Sequence, residues 1–137
     1  MNFDFLMFYT PFLSVLLRVV MGATFVMHGY PKLKDPKATL KWTENLGVPA
    51  AATIMAIVLE FFGGIFLIVG LLVPTVAFFI VVEMIGNIIL KKTKMKAPYL
   101  VGQNASAYEI DVTYILLGIT LIVLGAGAFS LSAILGF

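Results

Sequence analysis

No cysteine occurs anywhere in the 137 residues. That excludes a disulfide framework, a dithiol redox motif, a thiolate nucleophile and any zinc or iron–sulfur site built on cysteine. Charge is scarce as well. Only 12% of residues are Asp, Glu, Lys or Arg, about half the share of a soluble domain. There is one histidine, so the sequence offers no ligand set for haem, and no metal or covalent cofactor is expected. The opening stretch MNFDFLMFYTPF contains no lysine or arginine. It lacks the basic n-region of a cleavable signal peptide, and the first apolar segment is expected to stay in the mature protein.

What the chain has is apolar surface: 61% hydrophobic residues and a mean hydropathy of +1.08. An integral membrane protein follows. Four apolar segments stand out, at 12–29, 50–72, 75–90 and 107–127. A helix needs roughly 17–25 residues to cross the hydrocarbon core, and these runs are apolar all round, without the alternation of barrel strands. The expected fold is all-α: an integral membrane four-helix bundle forming a single transmembrane domain over residues 1–137. Between the first two spans, Asp35 can cap a short helix that starts at Pro36 and stops at Gly47, with Leu40, Trp42 and Leu46 dipping it into the interface. The third span begins after a tight turn, with Pro74 in its first turn.

All eight lysines lie in or at the edges of the first and third connections. By the positive-inside rule, loops 30–49 and 91–106 face the cytoplasm and both termini face outward. Topology and contact with anionic lipid head groups account for these lysines, and nucleic acid is not an expected partner.

Charged groups inside the spans are costly, about 3 kcal/mol each at the bilayer centre. Glu60 interrupts the run AIVLEFFGGIFLIVGLL, Arg18 lies in the first span, Glu83 and Asn87 in the third, Asp111 at the start of the fourth, and His28 at the inner end of the first. Counted from the lysine-rich side at roughly 1.5 Å per residue, Arg18 and Glu60 reach the same depth, which predicts an Arg18–Glu60 ion pair with Glu83, Asn87, Asp111 and His28 forming a funnel towards it. Gly22, Gly29, Gly63, Gly64, Gly70, Gly118 and Gly125 fall at helical repeats on the same faces and are read as close-packing positions between spans. A buried pair can serve only to fix helix register, but register does not require five polar groups.

At these residues the sequence resembles the DoxX family of small four-span membrane proteins. The matching pieces are LLRVVMGATFVMHGYPKL, LGVP, LEFFGGIFLIVGLLVP and GAGAFSLSAIL. The resemblance implies that Arg18, His28, Gly29, Lys32, Glu60, Gly63 and Gly64 are shared family positions. It departs at Ser132, where an acidic residue is common, and the tail receives no role. Related DoxD proteins look like subunits of a thiosulfate:quinone oxidoreductase, and other relatives are associated with oxidative stress and sulfur handling. The resemblance therefore implies a quinone- or sulfur-linked membrane redox system, with quinone as the candidate ligand and other redox subunits or a second copy of the chain as partners in the bilayer. Electrons would come from a partner or a soluble substrate. Two alternatives stay open: a non-catalytic assembly subunit of a respiratory complex, and a small-solute or ion transporter.

Overall fold

The computed structural model describes residues 3–100, 102 and 106–137. They are helical with no strand among them. Helix α1 covers Asp4–Lys34 and α2 covers Pro36–Asn45. Helix α3 runs Ala50–Val69, α4 Val73–Thr93, α5 Glu109–Leu124 and the short α6 Leu131–Leu135. Three of them, α1, α3 and α4, are long and apolar enough to cross a membrane. Helix α5 is apolar but has 16 residues, a rise of about 24 Å.

The element boundaries differ from the hydropathy reading in one consequential place. Helix α1 does not stop at Gly29 but continues through Pro31 to Lys34. Gly-Tyr-Pro followed by lysines reads as a stop signal. A proline, however, removes only one N–H, and its carbonyl still accepts the Asp35 N–H at 3.1 Å. At the other end α1 begins eight residues early, at Asp4, and passes through Pro11. Helix α3 ends at Gly70, which takes the left-handed conformation at φ 76°, and α5 ends at Gly125, also at positive φ.

Local signals explain the remaining boundaries. The Asp35 carboxylate accepts the Ala38 N–H at 3.2 Å, and Pro36 opens α2 behind it. Pro74 sits in the first turn of α4, where its missing N–H has no intrahelical partner to lose. Helix α4 packs most extensively along α5, and α1 along α3. The core between the two pairs is Met21, Phe25, Leu67, Val73, Val76, Ala77, Ile80, Met84 and Leu121.

The exterior is apolar too, with Phe8, Leu16, Val20, Phe78, Val82 and Val123 exposed. Hydroxyls on the helix surfaces satisfy themselves: Thr10, Thr24, Thr93, Thr113 and Thr120 each donate to the carbonyl four residues back. That arrangement suits a surround with no hydrogen-bonding solvent.

Candidate functional site

The register between α1 and α3 is set by glycines that bring the two backbones into contact. A Cβ on Gly22 would lie 2.5 Å from the Gly64 carbonyl oxygen, and one on Gly64 would lie 2.7 Å from that of Gly22. A Cβ on Gly29 would lie 2.6 Å from the Phe61 nitrogen and 2.9 Å from the Glu60 carbonyl carbon. On α5, Gly118 leaves room for Val81 of α4, and Gly63 faces Val76. Gly70 and Gly125 do other work than helix packing. Both form turns at positive φ, Gly70 against the Arg18 guanidinium and Gly125 with nothing within 4 Å of its Cβ position.

This register separates Arg18 from Glu60. Glu60 stands level with Gly29, so Arg18 is eleven residues away along α1, about 16 Å of helical rise. The expected ion pair does not form. The depth count began at Gly29, whereas α1 runs on to Lys34, and that extra turn brings Lys32 beside Glu60. The Lys32 Nζ donates to Glu60 Oε1 at 2.6 Å.

Glu60 lies in a π-helical turn, Leu59–Gly63, within α3. Such one-turn insertions recur at functional sites because they re-aim side chains without ending the helix. The side chain faces a cavity of about 1220 Å³ whose lining includes His28, Lys32, Glu60, Glu83, Asn87, Lys91 and Asp111. The structure thus brings together five of the six polar residues singled out in the sequence, and leaves Arg18 outside. Glu83 lies beside Glu60, close enough for the two carboxyl groups to hydrogen-bond. A second ion pair, Lys91 Nζ to Asp111 Oδ2 at 2.6 Å, ties α4 to α5 across the mouth. Among the described residues no N–H, ammonium or hydroxyl group reaches Glu60 Oε2 or Glu83 Oε2, both of which are buried.

The cavity has a polar end and an apolar wall. Helices α3 and α4 touch through Leu59–Val69 and splay apart towards the lysine-rich end. The resulting cleft is lined by Met55, Ala56, Phe79, Val82 and Gly86, and α2 covers one side with Thr39, Trp42 and Leu46. Helix α2 is held there by the Thr43–Thr53 hydroxyl contact at 2.7 Å. Its role as a wall, like that of Lys32 and Lys91, was not evident from sequence, where the lysines read as topology signals. The face periodicity does hold a clue: Glu83, Asn87 and Lys91 lie four apart, one stripe of a helix. Among the described residues no group of three or more histidine and acidic side chains is placed to hold a metal ion.

Arg18 organises a different region. It is 2% exposed. Its guanidinium donates to the Ile68 carbonyl in the last turn of α3 and to the Phe129 carbonyl in the tail. A cation there also faces the negative end of the α3 dipole. Ser14 donates to the Gly125 carbonyl at 2.8 Å, and Ser132 Oγ accepts the Leu72 N–H at 3.1 Å. The tail, to which the sequence assigned nothing, is a hydrogen-bonded plug behind the α3–α4 turn. Arg18→Met is therefore expected to raise amide hydrogen exchange over residues 125–137 by at least about tenfold, the worth of one or two lost hydrogen bonds, while exchange around the Lys32–Glu60 pair stays unchanged. Exchange mapped by mass spectrometry checks this.

Comparison with known proteins agrees with the reading of the residues. The DoxX family model matches residues 13–92. A Bacillus subtilis protein named "Putative oxidoreductase CatD" is 30% identical over 107 residues, 78% of this chain and 78% of its own length. The Escherichia coli inner membrane protein YqjF is 29% identical over 122 residues, 86% of this chain and 88% of its own. No solved structure matches. With the model spanning more than half of its length and the relatives covering most of it, the chain is a membrane protein that belongs to the DoxX family.

Proposed function

We propose that the chain works in a membrane redox system and that its cavity receives the head group of a lipid-soluble quinone. The observation behind this reading is the cavity itself. It joins a polar end, with two lysines and three carboxylates, to an apolar cleft between α3 and α4. That is the division of surface an amphiphile with a small polar head needs. Lys32 and Lys91 supply N–H donors for a quinone oxygen. Glu60 and Glu83 supply a place to hold a proton close to it. The name of the Bacillus subtilis relative, which points to an oxidoreductase, favours the same class.

In this reading α5 is the fourth span and α2 lies at the interface. The lysine-rich end, where the cavity opens, faces the cytoplasm, and both termini face outward. Redox subunits in the same membrane, or a second copy of the chain, are the expected partners.

Gly86 offers a clean test. It lines the cleft, and a Cβ there would meet nothing within 4 Å. Gly86→Leu fills open space and, on helix propensity, gains up to about 1 kcal/mol. Decylubiquinone binding to the protein in lipid nanodiscs is expected to weaken at least tenfold in Gly86→Leu, with thermal stability unchanged or raised. Failure of the unmodified protein to bind quinone, or undiminished binding by the variant, contradicts the proposal.

A further inference from the structure

We infer that α2 is a hinged lid over the lysine-rich mouth of the cavity, swinging away from α3 to admit the ligand and closing behind it. The identity of the ligand rests on the quinone reading above; the motion of α2 does not.

Helix α2 is attached to the body along one narrow stripe. Of its ten residues only Thr43 is buried, and α2 meets α3 far less extensively than α4 meets α5. Space lies on both sides of the stripe. The main cavity runs along Ala38, Thr39 and Trp42, and a second cavity of about 340 Å³ runs along Leu40 and Glu44. On the face turned away from α3, Lys37 and Lys41 are exposed. An element with so few buried apolar contacts belongs to the part of a protein that opens locally.

The contact at the centre of the stripe is polar and leaves nothing stranded when it parts. The Thr43 and Thr53 hydroxyls meet at 2.7 Å. Each has a second partner, the Thr39 carbonyl at 3.0 Å for Thr43 and the Pro49 carbonyl at 3.4 Å for Thr53. Separation therefore costs one hydrogen bond and buries no unsatisfied group. Both ends of α2 are built to turn. Asp35 leaves helical geometry at φ −131° and ψ 76°. Gly47 stands at φ 78°, with nothing within 4 Å of its Cβ position. Hinges are a few such residues at element ends. Between them the Asp35 carboxylate caps the Ala38 N–H at 3.2 Å, so the cap travels with the helix.

The lid can be locked and watched with what the chain already provides. It has no cysteine, so Thr43→Cys with Thr53→Cys places a unique thiol pair where two hydroxyls touch, within reach of a disulfide. Its one tryptophan, Trp42, lines the cavity from α2, and quenching of its fluorescence by quinone follows binding in time. A gate slows entry and exit alike and leaves affinity nearly unchanged. In lipid nanodiscs, decylubiquinone association and dissociation are both expected to be at least about tenfold slower in the oxidised double variant than in the same protein after reduction, with Kd changed less than about threefold. Without any ligand, the crosslink is expected to slow amide hydrogen exchange across α2 by roughly tenfold, because a ten-residue helix released from its support does not hold together alone. Thr43→Val, which needs no crosslink, is expected to raise that exchange about fivefold, the worth of one hydrogen bond. Equal ligand rates in the oxidised and reduced forms, or exchange across α2 that neither change alters, overturns the inference and makes α2 a fixed wall. Failure of quinone to bind overturns the quinone reading instead; exchange that slows in the crosslinked protein and rises in Thr43→Val still upholds the lid, and unaltered exchange removes it.

Discussion

Lys32→Met is expected to destabilise the protein by about 3 kcal/mol, the lower end of the range for stranding one member of a buried ion pair. The lower end applies because the Lys32 side chain is 39% exposed whereas that of Glu60 is 6% exposed. The damage is done by the residue left behind. Glu60 would keep its carboxyl group next to Glu83, with no cation left beside Oε1. Adding Glu60→Gln to Lys32→Met removes the stranded charge and is expected to restore more than half of the loss. Thermal unfolding in detergent micelles, followed for the two single variants and the double, measures it. A Lys32→Met protein as stable as the parent would mean that the 2.6 Å contact contributes nothing.

Gly22→Leu is expected to have the second large effect, through backbone geometry instead of charge. The atom facing Gly22 is the Gly64 carbonyl oxygen, 2.5 Å from where a Cβ would be. A flexible side chain could swing aside, but a helix backbone cannot, so α1 and α3 must move apart. Overpacking of this kind costs typically 1–3 kcal/mol and occasionally more, and here the upper end or beyond is expected. The consequence reaches the site, because the same contact surface sets Gly29 against Glu60. Gly22→Leu should lower the midpoint of thermal unfolding and loosen the Lys32–Glu60 pair together. Gly86→Leu, on a helix face with open space, is the matched control and should do neither. Equal stability of the two leucine variants contradicts the packing account.

Much of this architecture was legible in the residues. Asp35 with Pro36 predicts the start of α2, Pro74 the start of α4, and the exclusion of charge predicts helices that are apolar on every face. Glu60, Glu83, Asn87 and Asp111 were recognisable as members of one polar site because each interrupts an apolar run, and burial of such groups without company is too costly to be accidental. The partners were harder to read. Pairing Arg18 with Glu60 needed only that both lie at one depth, and depth was counted from where hydropathy falls, at Gly29. The backbone does not end there. Helix α1 carries on through Pro31, since one absent N–H does not break it, and five residues of extra helix moved the partner from Arg18 to Lys32. The π-turn at Leu59–Gly63 has no propensity signature in those apolar residues. The plug formed by Ser14, Ser132 and the tail depends on contacts distant in sequence, 111 residues for Ser14 with Gly125 and 60 for Leu72 with Ser132, and no local pattern announces it.

The division of the buried charges into two separate regions is open to one decisive measurement, a pair of double-mutant cycles on unfolding free energy that share Glu60→Gln. Coupled to Lys32→Met, Glu60 is expected to show an interaction energy above about 1 kcal/mol; coupled to Arg18→Met, it is expected to show none beyond the roughly 0.5 kcal/mol found for independent sites. A strong Arg18–Glu60 coupling with a weak Lys32–Glu60 coupling would contradict the register described above and return the arginine to the cavity.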